Sequence, residues 1–248
     1  MSMACRKMFV RLMVLAVIVF AVLPVSLYAA SRSDAAHPDF EAIRTETTNP
    51  DSPYYYPELL KSFYSNDTTM TDTDYHYLYY GSMFQEDYNP YRPYPFTDRL
   101  KATEPLYYKH GTLTRGEKTQ IKELAEKSLA NDPLNLRQLM YLVYSYEQSG
   151  KPNLAKIWKH KLDHLLLTIS RSGTGADAEH AFVVVEPSHE FDYFNLSGVT
   201  VVSQEFKEPY YECVTVRLPD SEDTRQYWFD LHHLLEQYYA KHPSELDD

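Results

Sequence analysis

Cysteine, glycine and basic charge are what this chain has little of. Of its 248 residues, two are cysteines and seven are glycines. Cys5 lies ahead of the first apolar run, which leaves Cys213 as the one cysteine of the remainder. A single thiol forms neither an internal disulfide nor a cysteine-based zinc cage. Scarce glycine leaves little material for loops whose backbone cradles phosphates, and no Walker loop, nucleophile elbow, zincin helix or EF-hand loop occurs. Gly173-x-Gly175-x-x-Ala178 has the dinucleotide spacing, but that motif leaves a strand and opens a helix, and here the expected order is reversed. No cofactor and no metal are expected. Lys and Arg total 24 against 35 Asp and Glu, a net charge of −11. A surface of that sign repels phosphate backbones and excludes nucleic acid as a partner.

What the chain does have is 44% hydrophobic residues, enough for a sizeable core, and 23 tyrosines. Residues 1–30 read as a secretory signal peptide: Arg6, Lys7 and Arg11 flank the apolar run Leu12–Leu23, and the small pair Ala29-Ala30 precedes polar sequence. Its removal takes the net charge from −11 to −14. Leu12 to Ser31 are 20 uncharged residues, long enough to span a bilayer, so an uncleaved anchor is the alternative, and membrane contact is expected through that segment alone. Either way the rest of the chain is exported. An exported domain held by its core without disulfides suits the periplasm of a Gram-negative bacterium or secretion from it.

Residues 31–56 are expected to be a linker with a short helix around Phe40 and Ile43, and residues 57–173 a helical region. Thr71-x-x-Asp74 and Thr114-x-x-Glu117 are capping-box patterns. Leu136, Leu139, Met140, Val143 and Tyr146 form one apolar stripe, closed by Gly150, and Pro152 opens the next helix. This helical hairpin resembles a tetratricopeptide unit, with Ser128, Tyr146, Gly150 and Ala155 at that family's preferred positions, although one and a half repeats fall short of a solenoid. Past Gly175 the period drops to two. Runs at 180–186, 199–206, 210–218 and 225–231 predict four strands of a small antiparallel sheet, followed by a terminal helix, over residues 174–248. Helices first and strands later make the fold α+β.

Two arrangements of candidate residues emerge. Tyr79, Tyr80, Tyr88 and Tyr91, beside a proline-punctuated stretch 87–95 expected to run extended over the helices, suit the stacking of a sugar or the grip of a protein partner. Packing accounts for the same rings. The alternative is a hydrolase: His189 and Glu190, with Asp192 nearby, follow the first strand, and Asp230, His232 and His233 follow the fourth, so meeting strand ends would assemble acid/base chemistry. Ordinary turn polarity explains these residues as well. His160 and His164 have ligand spacing, but the helical wheel turns them to solvent.

Three blocks carry a family resemblance: Tyr79-Tyr80-Gly81-x-x-Phe84-Gln85-x-x-Tyr88-Asn89-Pro90-Tyr91, then Asp132-Pro133-Leu134-Asn135, then Ser172-Gly173-Thr174-Gly175 leading to His180-Ala181-Phe182-Val183-Val184 and His189-Glu190-Phe191. In this order the chain resembles the secreted proteins of gut Bacteroidota grouped as domain of unknown function 4919. Thr174 stands where such relatives carry Asp in the glycine turn. The resemblance implies an exported protein of one architecture and transfers no catalytic residue.

Overall fold

The computed structural model describes residues 35–92, 97–107, 112–218 and 221–245. The expected signal segment and residues 93–96 of the proline stretch lie outside them. Among the described residues the helical part comprises α1 (Phe40–Thr48), α2 (Tyr56–Tyr64), α3 (Asp72–Gly81), α4 (Thr97–Thr103), α5 (Arg115–Asn131), α6 (Leu136–Gln148) and α7 (Pro152–Arg171). Local chemistry sets several of these boundaries. Both capping boxes form, each threonine hydroxyl accepting from the third helical N–H while the carboxylate there accepts from the threonine N–H. Gly150 adopts φ +67°, a left-handed conformation that lets Pro152 restart the chain as α7. Of the stripe expected on α6, Leu136, Leu139, Val143 and Tyr146 are buried and Met140 only partly so, with the unforeseen Leu142 buried beside them; from α7, Ala155, Leu162, Leu165 and Ile169 are buried with them.

The remainder holds β1 (Phe182–Val183), α8 (Ser188–Leu196), β2 (Thr200–Lys207), β3 (Tyr211–Arg217), β4 (Thr224–Asp230) and α9 (His232–Lys241). The fold is α+β, with the strands in the order β1-β4-β3-β2. Val214 and Val216 of β3 are fully buried while Thr215 and Arg217 are not, as alternation promises, although Cys213, on the same face as these two, is buried as well. Two features differ from expectation. The sheet is mixed, because β1 runs parallel to β4, pairing Phe182 with Phe229 and Val183 with Asp230. And β1 is two residues long, not seven.

The reason lies in the tyrosines. Ala181 through Val185 are all buried, so each backbone polar group there needs a partner. β4 serves only Phe182 and Val183. Hydroxyls serve further groups: Tyr80 Oη donates to Val183 O at 3.3 Å, Tyr88 Oη to Val185 O at 2.6 Å, and Val185 N–H donates to Tyr79 Oη at 3.4 Å. Ser172 Oγ accepts from Val183 N at 2.8 Å. Phenols of the helical region thus replace a second strand partner.

Helix α8 then bridges the two halves, lying against α6 on one side and β2 on the other. The histidines of α7 do not face solvent. The ring of His164 stacks on Tyr75 at 4.7 Å and its Nδ1 lies 2.7 Å from Asp72, while His160 meets the same tyrosine edge-on. Tyr75 caps this side of α7 because α3 crosses there, a contact that a single-helix wheel does not contain.

Candidate functional site

Of the four tyrosines expected to form a partner surface, Tyr79, Tyr80 and Tyr88 are core residues holding β1. A ring closed off from solvent cannot stack on a partner, and this expectation is corrected. Tyr91 alone is presented outward, 47% exposed, with its ring edge against Tyr238 of α9. The described part of the proline stretch is also not extended: Asn89 Oδ1 accepts from Tyr91 N and Asn89 O from Arg92 N, which closes a turn.

The residues of the hydrolase arrangement are likewise placed in separate environments. The parallel pairing of β1 and β4 brings the two strand ends to one edge of the sheet. Their side chains then diverge. His189 and Glu190 open α8 and are fully buried. Asp230 pairs with His37 at 3.4 Å and accepts from His232 N at 2.7 Å, and the His232 ring stacks on Tyr210. No single centre of His189, Glu190, Asp230 and His232 is assembled, because α8 carries the first two inward, away from the sheet edge. Among the described residues no group of three or more His, Cys, Asp or Glu is disposed to hold a metal ion.

What converges instead is a set of carboxyls around α8. Glu186, just ahead of the helix, is hydrogen-bonded to the carboxyl of Asp132 at the end of α5, and a bond between two carboxyls requires a proton on one of them. Burial, then the charges of Asp132 and Asp192, hold the Glu186 carboxyl well above the usual carboxylate range. Asn135, at the start of α6, donates to the same aspartate at 2.9 Å. Behind Glu186 stands His189. Tyr79 Oη lies 2.8 Å from its Nδ1, and a buried phenol needs an acceptor for its proton, so the imidazole proton is assigned to Nε2. That nitrogen has no hydrogen-bond partner and lies 3.8 Å from Glu186 Oε2. Burial lowers the His189 pKa to about 3, which keeps the ring neutral.

A second pair follows one turn along α8. Glu190 lies against Glu212 of β3, Gln204 of β2 donates to its Oε2 at 3.1 Å, and Oε1 of Glu190 and Oε2 of Glu212 find no other partner. Burial, reinforced by Glu212, pushes the Glu190 carboxyl up to about 10, so it is protonated at neutral pH. Asp192, the second acid of α8, is bound through one oxygen by Nε and Nη2 of Arg137 at 2.9 and 2.6 Å. Tyr56 and Tyr64 of α2 lie in the field of Asp132, Tyr88 in that of Glu186, and Tyr91 in that of Glu212 and Glu190. Tyr64, like Tyr91, is about half exposed.

The site therefore draws on all three blocks that carried the family resemblance. Tyr79 and Tyr88 come from the first, Asp132 and Asn135 from the second, His189 and Glu190 from the third. A sequence profile described as Domain of unknown function (DUF4919) matches residues 41–240, a span that contains every one of these positions. The chain belongs to this family. No curated protein and no solved structure matches the chain. The family brings no activity with it, and the chemistry of the site is argued from its residues.

Sequence reasoning passed over Asp132, Glu186, Arg137, Gln204 and Glu212. Asp132 stood only within the second block of the resemblance, and Glu186 at the end of an expected strand. The available signal was Glu186, Glu190 and Asp192 within seven residues of a fully apolar run, a density of acids that the core can accept only with partners.

Proposed function

We propose that the protein is an exported, non-enzymatic binding module that takes a glycan through the exposed rings of Tyr64 and Tyr91, which lie in the field of the carboxyls gathered around α8. The observation that carries this reading is the combination of exposed aromatic rings with the partly open Glu186 carboxyl, which burial and the charge of Asp132 hold in its protonated form. A phenol ring packs on the apolar face of a pyranose, and a carboxyl group both donates to and accepts from sugar hydroxyls. Full burial of His189 argues against its acting directly on a substrate, which favours binding over hydrolysis. Export rests on the basic, apolar and small-residue order of residues 1–30. The hairpin of α6 and α7, together with α5, is read as tetratricopeptide-like on the buried Ser128, Tyr146 and Ala155 and the left-handed Gly150.

The test is binding to an array of bacterial and host oligosaccharides, with affinities of any hit measured by calorimetry. The wild type is expected to retain at least one glycan class, with affinity lowered at least tenfold in Tyr64→Ala plus Tyr91→Ala. Both rings are exposed, so the variant keeps the fold. Undiminished binding by the double variant, or no binding to any glycan by the wild type, would sink the proposal.

A further inference from the structure

Where α3 crosses α7 there is a cavity of about 330 Å³ that plays no part in the glycan reading. Asp72, the first residue of α3, and Arg171, the last of α7, both line it. His76, Tyr77 and Tyr80 follow along α3, and Pro38 lines the cavity from the stretch ahead of α1. The Tyr77 ring is stacked on Tyr54 at 4.1 Å, so this part of the wall is fixed before any ligand arrives.

The ion pair in the wall keeps unused capacity. Arg171 Nη1 donates to Asp72 Oδ2 at 2.5 Å, and both side chains are close to half exposed. The other N–H donors of the guanidinium meet no acceptor among the described residues. Asp72 Oδ1 lies 2.7 Å from His164 Nδ1, and each carboxylate oxygen retains a lone pair. The His76 ring meets Tyr77 and Tyr80 edge-on and makes no hydrogen bond among the described residues. Burial lowers its pKa, so at pH 7 the ring is neutral, one nitrogen a donor and the other an acceptor.

Charge and size select the ligand. A simple anion drawn to Arg171 meets the Asp72 carboxylate 2.5 Å from it, and a simple cation drawn to Asp72 meets Arg171. A molecule that carries both charges side by side matches the pair, and an α-amino acid carries them on one carbon. A space of about 330 Å³ lies at the small end of ligand pockets, room for one such molecule and not for a chain. We infer that this cavity binds a free α-amino acid with an apolar side chain. Its carboxylate accepts from the open edge of the Arg171 guanidinium, its ammonium donates to Asp72, and its side chain packs against Tyr77 and Pro38. The site uses neither Tyr64 nor Tyr91, so it stands or falls independently of the glycan reading.

The experiment is calorimetric titration of the protein at pH 7 with L-leucine, L-methionine and L-phenylalanine, followed by the N-acetyl and amide derivatives of whichever binds. At least one of the three is expected to bind with a Kd of about 1 mM or below, and each derivative, lacking one of the two charges, at least tenfold more weakly. Arg171→Gln and Asp72→Asn are each expected to lose at least tenfold in affinity. Their melting temperatures should stay within about 3 °C of wild type, because an ion pair this exposed contributes little to stability. Tyr64→Ala plus Tyr91→Ala is expected to bind the amino acid unchanged. No binding of any of the three, or derivatives that bind as well as their parent, overturns the inference. Undiminished binding by either charge variant overturns it too, as does loss of binding in the double tyrosine variant. The derivative comparison is made on the wild type, so it decides the matter even where a variant melts early.

Discussion

Replacing Glu190 by glutamine is expected to stabilise the protein at neutral pH and to leave its stability unchanged near pH 4.5. Glu190 is fully buried, packed against Glu212 and bonded to Gln204, and its carboxyl titrates near 10 in place of the usual 4.5. In the unfolded chain it loses its proton above pH 4.5, whereas in the folded protein it keeps it. The unfolded state therefore binds fewer protons across this window, and stability falls as pH rises. At about 1.4 kcal/mol per pH unit, the cost accumulated between pH 4.5 and 7 is about 3 kcal/mol. Glutamine reproduces the protonated group: its carbonyl accepts from Gln204, its amide donates to Glu212, and nothing ionises. The assay is urea unfolding of wild type and variant at pH 4.5, 6 and 7. With a urea slope of about 2–3 kcal/mol per molar, the variant's midpoint is expected to exceed the wild type's by about 1 M at pH 7 and to converge with it at pH 4.5. A variant less stable than wild type at pH 7, or a difference independent of pH, would refute a buried protonated Glu190.

Tyr79→Phe removes the acceptor of Val185 N–H and the donor to His189 Nδ1, both within the core. Stability is expected to drop by about 2–4 kcal/mol, read as a melting temperature lower by roughly 10 °C, and a loss below about 0.5 kcal/mol would mean these bonds carry nothing. Arg137→Met leaves the almost fully buried Asp192 carboxylate without its cation. Chemical denaturation is expected to register a loss of about 2–3 kcal/mol, the open side of the arginine reducing the full cost of breaking a buried pair, and an unchanged midpoint would contradict the ion pair. Gly173→Ala would place a methyl group 2.2 Å from the backbone oxygen of Ala181, so a loss of about 2 kcal/mol or more is expected, and neutral behaviour would mean that the α7–β1 connection is free to move.

The helical region was legible from the sequence because its signals are local. A capping box such as Thr114 with Glu117, or the stripe from Leu136 to Tyr146 ending at Gly150, needs nothing beyond its own segment to be read. The strands β2, β3 and β4 were legible for the same reason. β1 was foreseen as a strand but not as one of two residues, because beyond its pairing with β4 the backbone there is served by side-chain hydroxyls from Tyr79, Tyr80 and Tyr88, more than ninety residues away in the chain. α8 was missed because a helix buried on nearly every side, with His189, Glu190 and Asp192 inside, has no polar face to reveal its period.

The candidate site was legible only as ingredients. His189 and Glu190 were singled out, and both belong to it, but Asp230 and His232 do not join them. Of the tyrosines singled out as a surface, Tyr79, Tyr80 and Tyr88 prove to be its framework and Tyr91 alone stays outside. What placed them was the packing of α3 and α8 around β1, a tertiary fact with no signature in spacing. The role of Asp132 was hidden similarly, since an Asp-Pro helix stop looks the same whether its carboxyl meets water or another acid.

The central claim is that Glu186 holds a proton shared with Asp132 while a neutral His189 stands behind it. Carboxyl carbon-13 NMR of glutamate-labelled protein, with the Glu186 signal assigned by its loss in Glu186→Gln, tests this most directly. A Glu186 resonance still at its protonated shift at pH 7 is the predicted result. Titration of that carbon near 4.5, as for any solvent-facing glutamate, would contradict it.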